Sequence, residues 1–214
     1  MKSPIILDFD GTLADTYAFI FKIEQELSEE YDIPKLHYSE DKRDQRLTEM
    51  LKGNVPLPRW KLPGFLKKAK QRFTEDMSRN VSLFPGTSHV LDALKKEHEL
   101  FIISSNFAKH PIHHIRMVLR RNAVVGHIKG IYTVPLLRGK RQAFQKLCKE
   151  QGYSLDEIIY VADEISDVEV CAALGISFIG VSWGYNSEKA LREAGAEHIA
   201  HNHEELLQLI KEMT

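Results

Sequence analysis

Short apolar runs rich in Ile, Val and Phe recur along the chain at Ile5 to Phe9, Leu100 to Ile103, Gly130 to Thr133, Ile158 to Ala162 and Ser177 to Val181. Runs of this length, bounded by polar residues and turn formers, predict buried strands. Between them the apolar positions take helical spacing, at Val90, Leu91 and Leu94, at Ile112, Ile115, Val118 and Leu119, at Phe144 and Leu147, and at Val168, Cys171, Ala172 and Leu174. Strands alternating with helices predict right-handed βαβ crossovers and an α/β fold whose mainly parallel sheet is covered on both faces.

One interval breaks the alternation, because Tyr17 to Leu83 holds no convincing strand. Ile20, Ile23 and Leu27 share one face of a first helix. Leu47, Met50 and Leu51 suggest a second, and Leu66, Ala69, Phe73 and Met77 a third, after a loop around Pro56, Pro58 and Pro63. The expected organisation is a core of residues 1–15 and 84–214 carrying an inserted, all-helical cap of residues 16–83. A last helix is expected over Glu204 to Met213, with Asn202 as its N-cap and Glu205 three residues on.

In open α/β sheets the ligand crevice lies outside the carboxyl ends of the strands. Strand one ends in Asp8-Phe9-Asp10-Gly11-Thr12, and a regular strand would point both carboxylates the same way. Two like charges at about 4 Å repel by roughly 4 kcal/mol at an effective dielectric near 20, so a cation or a shared proton is required. Strand four runs into Asp163, with Asp167 a helical turn later. Hard oxygen donors of this kind select Mg²⁺ over zinc. Strand two ends in Ser104-Ser105-Asn106, whose hydroxyls and amide suit an oxyanion, and Lys140 follows Gly139 at the start of a helix over Gln142 to Glu150. Carboxylates, a metal, hydroxyl donors and a lysine together make a site for a phosphoryl group, whose developing charge needs clamping more than covalent help.

Composition narrows the partners. In 214 residues, 43% hydrophobic and 28% charged, 29 Lys plus Arg stand against 30 Asp plus Glu, so an ordinary globular protein is expected, with no global field favouring nucleic acid or an anionic membrane. Any anionic partner must be bound locally, and a small phosphorylated metabolite is the expected one. The only cysteines, Cys148 and Cys171, form no Cys-x-x-Cys unit, which argues against a disulfide scaffold or a structural zinc and suits a reducing cytosol. The apolar start turns acidic at Asp8, too early for a signal-peptide core, and no run of about 18 apolar residues occurs, so a cytoplasmic location away from membranes is expected.

The motifs DFDGTLAD at 8–15, LFPG at 83–86, FIISSN at 101–106, GK at 139–140, YVADEISD at 160–167 and VSWGYNS at 181–187 carry a resemblance over nearly the whole chain. It is to the haloacid-dehalogenase-like hydrolases, in the subgroup with a helical cap after strand one that includes phosphoglycolate phosphatases. The resemblance implies a Rossmann-like parallel sheet core and a Mg²⁺-dependent phosphatase. It implies Asp8 as the nucleophile that becomes an aspartyl-phosphate, and Asp10 as the acid that protonates the leaving group and later activates water. Ser105 and Asn106, with Gly11 and Thr12, would bind the substrate, and Lys140 would steady Asp8 and the phosphate. Asp8, Asp163 and the backbone carbonyl of Asp10 would hold Mg²⁺, with Asp167 acting from behind them. Ala162 stands where the family usually has Gly.

The remaining features read more plainly. Asp15 is expected to cap the first cap helix. His110, His113 and His114, like His198, His201 and His203, lack acidic or cysteine partners at metal spacing and read as surface histidines. Trp60 and Trp183 read as packing residues, with Trp60 able to line a cap pocket. Lys52 to Phe73 holds seven basic residues, Lys52, Arg59, Lys61, Lys67, Lys68, Lys70 and Arg72, and no acid. A solvated helix face is the expected account, and recruitment of an anionic substrate is the alternative. Lys140 is expected at an exposed helix start, where its removal would harm catalysis and spare stability. A phosphomutase would share every core residue, and a non-catalytic phosphate-binding module would keep the architecture with little reason to keep Asp8, Asp10, Lys140 and Asp163 together. An acid at position 10 disfavours dehalogenation.

Overall fold

Successive side chains of a strand face opposite ways, and in the computed structural model of the chain both sets are covered. Ile5 and Leu7 of β1 (Pro4–Leu7) join one core with Leu100, Ile102, Ile159, Val161, Ile179 and Val181, while Ile6 joins the other with Phe101, Ile103, Tyr160, Ala162 and Phe178. The structure describes residues 3–34, 43–46, 57–58, 60–106, 108–135 and 139–214. Its other strands are β2 (Glu99–Ser105), β3 (Ile128–Val134), β4 (Ile159–Ala162), β5 (Ser177–Val181) and β6 (His198–Ala200). They form one sheet in the order β3-β2-β1-β4-β5-β6, every neighbouring pair parallel. β6 was not expected, because three residues are too few for a periodic signal.

The helices are α1 (Thr16–Glu30), α2 (Leu62–Asn80), α3 (Thr87–Leu94), α4 (Pro111–Arg121), α5 (Arg141–Gln151), α6 (Ile165–Leu174), α7 (Glu188–Glu193) and α8 (His203–Met213). Buried residues of α3, α4 and α8, among them Leu91, Ile115 and Ile210, cover the first face. Phe144 of α5, Cys171 of α6 and Leu191 of α7 cover the second. Ile112, expected on the buried side of α4, is 37% exposed. α8 starts as expected, with the Asn202 side chain accepting from the N–H groups of Glu204 and Glu205. The chain steps from β1 through β2 to β3 on one side and then crosses back to β4 on the other side of β1, and the crevice created by that reversal lies at the carboxyl ends of β1 and β4.

β1 stops at Leu7, two residues short of the expected strand. Leu13 and Ala14 both donate their N–H to the Phe9 carbonyl, at 3.1 and 2.9 Å, and Gly11 takes a φ of +77°. Asp8 and Asp10 therefore lie in a tight loop, and regular strand alternation is not what brings them together.

Between β1 and α3 the chain leaves the sheet through a stitched neck. Ala14 and Leu83 form an antiparallel bridge, Asp15 donates its N–H to Ser82 at 2.9 Å, and Phe84 donates to Leu13 at 3.0 Å. Beyond it α1 and α2 pack through Phe19 on Phe73, with ring centroids 5.6 Å apart, and Tyr31 on Phe65, 5.5 Å apart. Asp15 caps α1 by accepting from the Ala18 N–H at 3.2 Å. In α2 the inward residues are Phe65, Phe73 and Met77, and Leu66, expected inward, is 54% exposed. Pro63, expected in a loop, is the second residue of α2, where a missing N–H breaks no helical bond. Arg121 of α4 closes the other end of α2, donating to the Ser78 and Arg79 carbonyls at 2.7 Å each and to that of Val81. The helix expected around Leu47, Met50 and Leu51 lies outside the described residues. Residues 43–46 are described, and they lie on the sheet domain beside Ser182 to Ser187.

Candidate active site

Asp8 follows the last residue of β1 and is 2% exposed. One of its oxygens, Oδ1, accepts from the Phe9 N–H at 2.7 Å, and the other faces Lys140 Nζ at 2.6 Å. Lys140 stands immediately before α5 and is 4% exposed, so the expected exposed helix start is corrected to a buried one. An ammonium has three protons, and three oxygens meet this one: Asp8 Oδ2, Asp167 Oδ2 at 2.9 Å and the Tyr160 hydroxyl at 2.8 Å. Burial works against the charge on Lys140, but Asp167 and Asp8 outweigh it and hold the lysine above its ordinary pKa.

Asp10 accepts through one oxygen, Oδ2, from Ser104 Oγ at 2.8 Å and Asn106 Nδ2 at 3.0 Å. The Asn106 amide is itself oriented by the Ala108 N–H, which donates to its Oδ1 at 2.8 Å. Asp10 Oδ1 is buried and has no hydrogen-bond partner among the described residues. Burial, and then the charge of Asp8, push Asp10 up to about 6, against the opposing pull of Ser104, Asn106 and Lys140.

Asp163 follows Ala162, the last residue of β4, and is fully buried. Its Oδ1 accepts from Thr12 Oγ1 at 2.8 Å and its Oδ2 from the Tyr185 N–H at 2.7 Å. Trp183 Nε1 donates to the Thr12 carbonyl at 3.1 Å, fixing the residue that fixes Asp163. Two glycines make this cradle possible. A Cβ on Gly11 would fall 2.2 Å from Asp163 Oδ2, and one on Gly184 would fall 2.2 Å from Asp163 Cβ. Beside it Glu164 accepts from the Tyr17 hydroxyl at 3.3 Å. Burial raises Glu164, raises Asp163 well above its ordinary value, and pushes Asp167 up to about 8 against the attraction of Lys140.

The structure thus gathers Asp8, Asp10, Asn106, Lys140, Asp163 and Asp167, with Gly11 and Thr12 against Asp163. Ser105, the last residue of β2, is half-buried, and it is Ser104, its fully buried neighbour, that bonds Asp10. Ser104 was offered from sequence only as one of two hydroxyls for an oxyanion, and Tyr160, Glu164, Tyr17 and Trp183 were not assigned to the site. Tyr160 and Glu164 lie inside the YVADEISD motif, which was the available signal. Trp183, expected to be a packing residue, is a hydrogen-bond donor to the site loop. Trp60 is corrected from packing to surface: it is 77% exposed and lines a cleft of about 570 Å³ with Tyr31, Lys61 and Lys68. His201 sits between Glu188 and Glu205 at the surface, and His203 stacks on Trp183.

Among the described residues no three His, Cys, Asp or Glu side chains are disposed as a metal cage. The donor set nevertheless suits a hard cation bound by few side chains. Four carboxylates, Asp8, Asp163, Glu164 and Asp167, crowd around the ammonium of Lys140, whose ion pairs are to Asp8 and Asp167, and one cation is too little for them all. Gly11 and Gly184 close directly on Asp163, whose two oxygens accept from neutral donors, the Thr12 hydroxyl and the Tyr185 N–H. Oxygen donors with waters completing the shell are what Mg²⁺ takes.

The model of the haloacid dehalogenase-like hydrolase family matches residues 5–181. A phosphoglycolate phosphatase from Synechococcus elongatus is 26% identical, over 98% of this chain and 97% of its own. A 5'-nucleotidase from Pseudomonas aeruginosa is 24% identical, over 91% of this chain and 89% of its own. Among solved structures, a haloacid dehalogenase-like hydrolase from Streptococcus pneumoniae superposes with a TM-score of 0.83 at 18% identity, covering 98% of both chains. The sheet order, the β1 loop and the match over most of the chain agree: the protein belongs to the haloacid dehalogenase-like hydrolase family and is a phosphatase of it.

Proposed function

We propose that the protein is a Mg²⁺-dependent phosphatase of small phosphorylated metabolites, of the phosphoglycolate or sugar phosphate kind, working through an aspartyl-phosphate on Asp8. The observation that carries this reading is the division of labour between two neighbouring carboxylates. Asp8 is ion-paired with Lys140, 2.6 Å away, whereas Asp10 meets only neutral donors, is raised to about 6 and keeps one oxygen unbonded. Carboxylates given surroundings this different can divide the work of nucleophile from that of acid and base.

In this reading Asp8 attacks the phosphorus, and Asp10 gives its proton from Oδ1 to the departing alkoxide oxygen. Asp10, now a carboxylate, takes a proton from the water that attacks the phosphoryl group and releases phosphate from Asp8. Ser104 and Asn106 hold Asp10 in place throughout, and Lys140 neutralises charge on Asp8 and the phosphoryl oxygens. Ser105, Gly11 and Thr12 are proposed to shape the substrate's approach. Asp8, Asp163 and the Asp10 carbonyl would hold the metal, with Asp167 acting through Lys140. The cation supplies electrostatic stabilisation of the transferring phosphoryl group.

A phosphate-release screen over phosphoglycolate, sugar monophosphates and nucleoside 5'-monophosphates, with Mg²⁺ and with EDTA, tests the proposal. Release that needs Mg²⁺ and is lost in Asp8→Asn supports it. Release undiminished by EDTA overturns the metal requirement, and an isomeric ester formed without free phosphate means a phosphomutase. Preference for the nucleotides would move the substrate class to that of the Pseudomonas relative.

A further inference from the structure

Asp163 owes its position to a loop, Ser182 to Ser187, that approaches it from the end of β5. The Tyr185 N–H donates to its Oδ2, the Asn186 N–H donates to its backbone carbonyl at 3.2 Å, and Gly184 lies against its Cβ. Asn186 also accepts, through Oδ1, from the Ile165 N–H at 2.9 Å, so the loop holds the first turn of α6 as well.

The loop leaves the sheet at Ser182, whose N–H donates to the Ala200 carbonyl at 3.0 Å. Three of its carbonyls, those of Ser182, Gly184 and Tyr185, turn toward one spot, where their partial negative charges oppose one another. The Arg43 guanidinium occupies it. Its Nη2 donates to Ser182 at 2.8 Å and to Gly184 at 3.1 Å, and its Nε donates to Tyr185 at 3.1 Å. The planar fork suits several convergent acceptors in a way that a lysine does not. The backbone of the same strap completes the clasp. The Arg43 carbonyl accepts from the Ser187 N–H at 3.1 Å and from Asn186 Nδ2 at 2.7 Å, and that of Gln45 accepts from the same amide at 2.9 Å. Arg43 comes from the 16–83 insertion, far along the chain from β5. With Tyr185 fixed at its carbonyl by Arg43, its N–H is aimed at Asp163.

We propose that Arg43 is a positioning residue for the metal-binding carboxylate, holding Asp163 in place through the Ser182 to Tyr185 loop. Partners behind a metal ligand typically change metal affinity about 10 to 100-fold when removed. The proposal rests on the metal-dependent reading of the site given above.

The test is calorimetric titration of Mn²⁺, a Mg²⁺ surrogate, into the metal-free full chain. The proteins compared are the wild type, Arg43→Ala, Arg43→Lys and, as a control, Lys189→Ala. Lys189 anchors the same strap through Asp44 at 3.2 Å without touching the loop carbonyls. The expected result is that Arg43→Ala weakens Mn²⁺ binding by about tenfold or more. Arg43→Lys, which keeps the charge but loses the fork, should fall nearer to Arg43→Ala than to wild type, and Lys189→Ala should bind as wild type does. At saturating Mg²⁺ the KM for p-nitrophenyl phosphate should be unchanged. Should Arg43→Ala fail to fold, Arg43→Lys decides. Wild-type Mn²⁺ affinity in the Arg43 variants overturns the proposal, as does a raised KM with unaltered metal binding, which would make Arg43 a substrate contact. A wild type that binds no Mn²⁺ overturns the metal-dependent reading itself and the proposal with it.

Discussion

Ser104 and Asn106 both spend their donors on the same oxygen of Asp10, and this sets a measurable balance. Each donor favours the charged carboxylate, so removing one must raise the Asp10 pKa further above about 6. In the proposed mechanism Asp10 has to be protonated to release the alcohol, and kcat/KM for an alkyl phosphate should fall on the alkaline side of that pKa. Ser104→Ala should therefore move the alkaline limb to higher pH, together with a loss of rate. A limb that stays where it was would remove Asp10 from the acid's role. Lys140 makes a second residue-scale test, and its outcome reverses the one expected of an exposed lysine. Because it is buried between Asp8 and Asp167, Lys140→Ala leaves two interior carboxylates without their counter-ion. Breaking a buried pair in this way costs about 3–5 kcal/mol. Urea unfolding at pH 8 should show that loss alongside the loss of activity, and a smaller one at pH 5.5, where the stranded carboxylates take up protons. An unchanged unfolding midpoint at pH 8 would mean the pair contributes nothing to the fold.

The pairing of α1 with α2 accounts for two of the seven residues of the acid-free basic stretch. Lys68 pairs with Glu30, and Arg72 reaches Glu30 at 2.7 Å and Glu26 at 3.5 Å, so these charges are answered by the acidic face of α1. Changing Lys61, Lys67, Lys68 and Lys70 together to Gln should leave kcat/KM and its salt dependence as in the wild type. A flattened salt dependence with lowered kcat/KM would restore substrate recruitment. What was legible at this scale follows from burial. β2, β4 and β5 announce themselves because both faces are covered and their apolar runs are unbroken. β6 does not, being three residues long, and Leu66 misleads because one residue of helical phase separates it from the buried Phe65. The acids and the lysine were readable from motifs at strand ends. Ser104 was distinguishable from Ser105 only through the path of the β1 loop, which the strand pattern does not contain. Arg43 was invisible, because its partners are backbone carbonyls of a distant loop, and a carbonyl leaves no mark in a sequence.

Across the whole molecule the buried acids set the response to pH. Asp10 is raised to about 6 and Asp167 to about 8, with Asp163 and Glu164 raised as well, each chiefly by burial, whereas in the unfolded chain all four titrate near 4. Between about pH 4 and 8 the folded state therefore holds more protons than the unfolded one, and stability falls as pH rises. His201, raised by Glu188 and Glu205, adds to the fall, and the lowered His114 and His203 oppose it. The metal-free protein should melt higher at pH 5.5 than at pH 7.5, and Mg²⁺ should lift the Tm most at the higher pH. Equal metal effects at both would contradict the cation's proposed place among these acids. The position of β1 has one more consequence, for the order in which the chain is made. β1 is synthesised before the other strands of this sheet and lies at its centre, its register set against Glu99 to Ile102 on one side and Ile159 to Val161 on the other. A growing chain must therefore carry an apolar strand unpaired until partners far downstream emerge. The bridge between Ala14 and Leu83 shortens that wait, because it closes off the intervening helices as a side loop and brings β2 within a short reach of β1. On the ribosome, then, the site cannot be complete before Tyr185 and Asn186, which hold Asp163, have appeared, and a chain released early lacks strands and chemistry together.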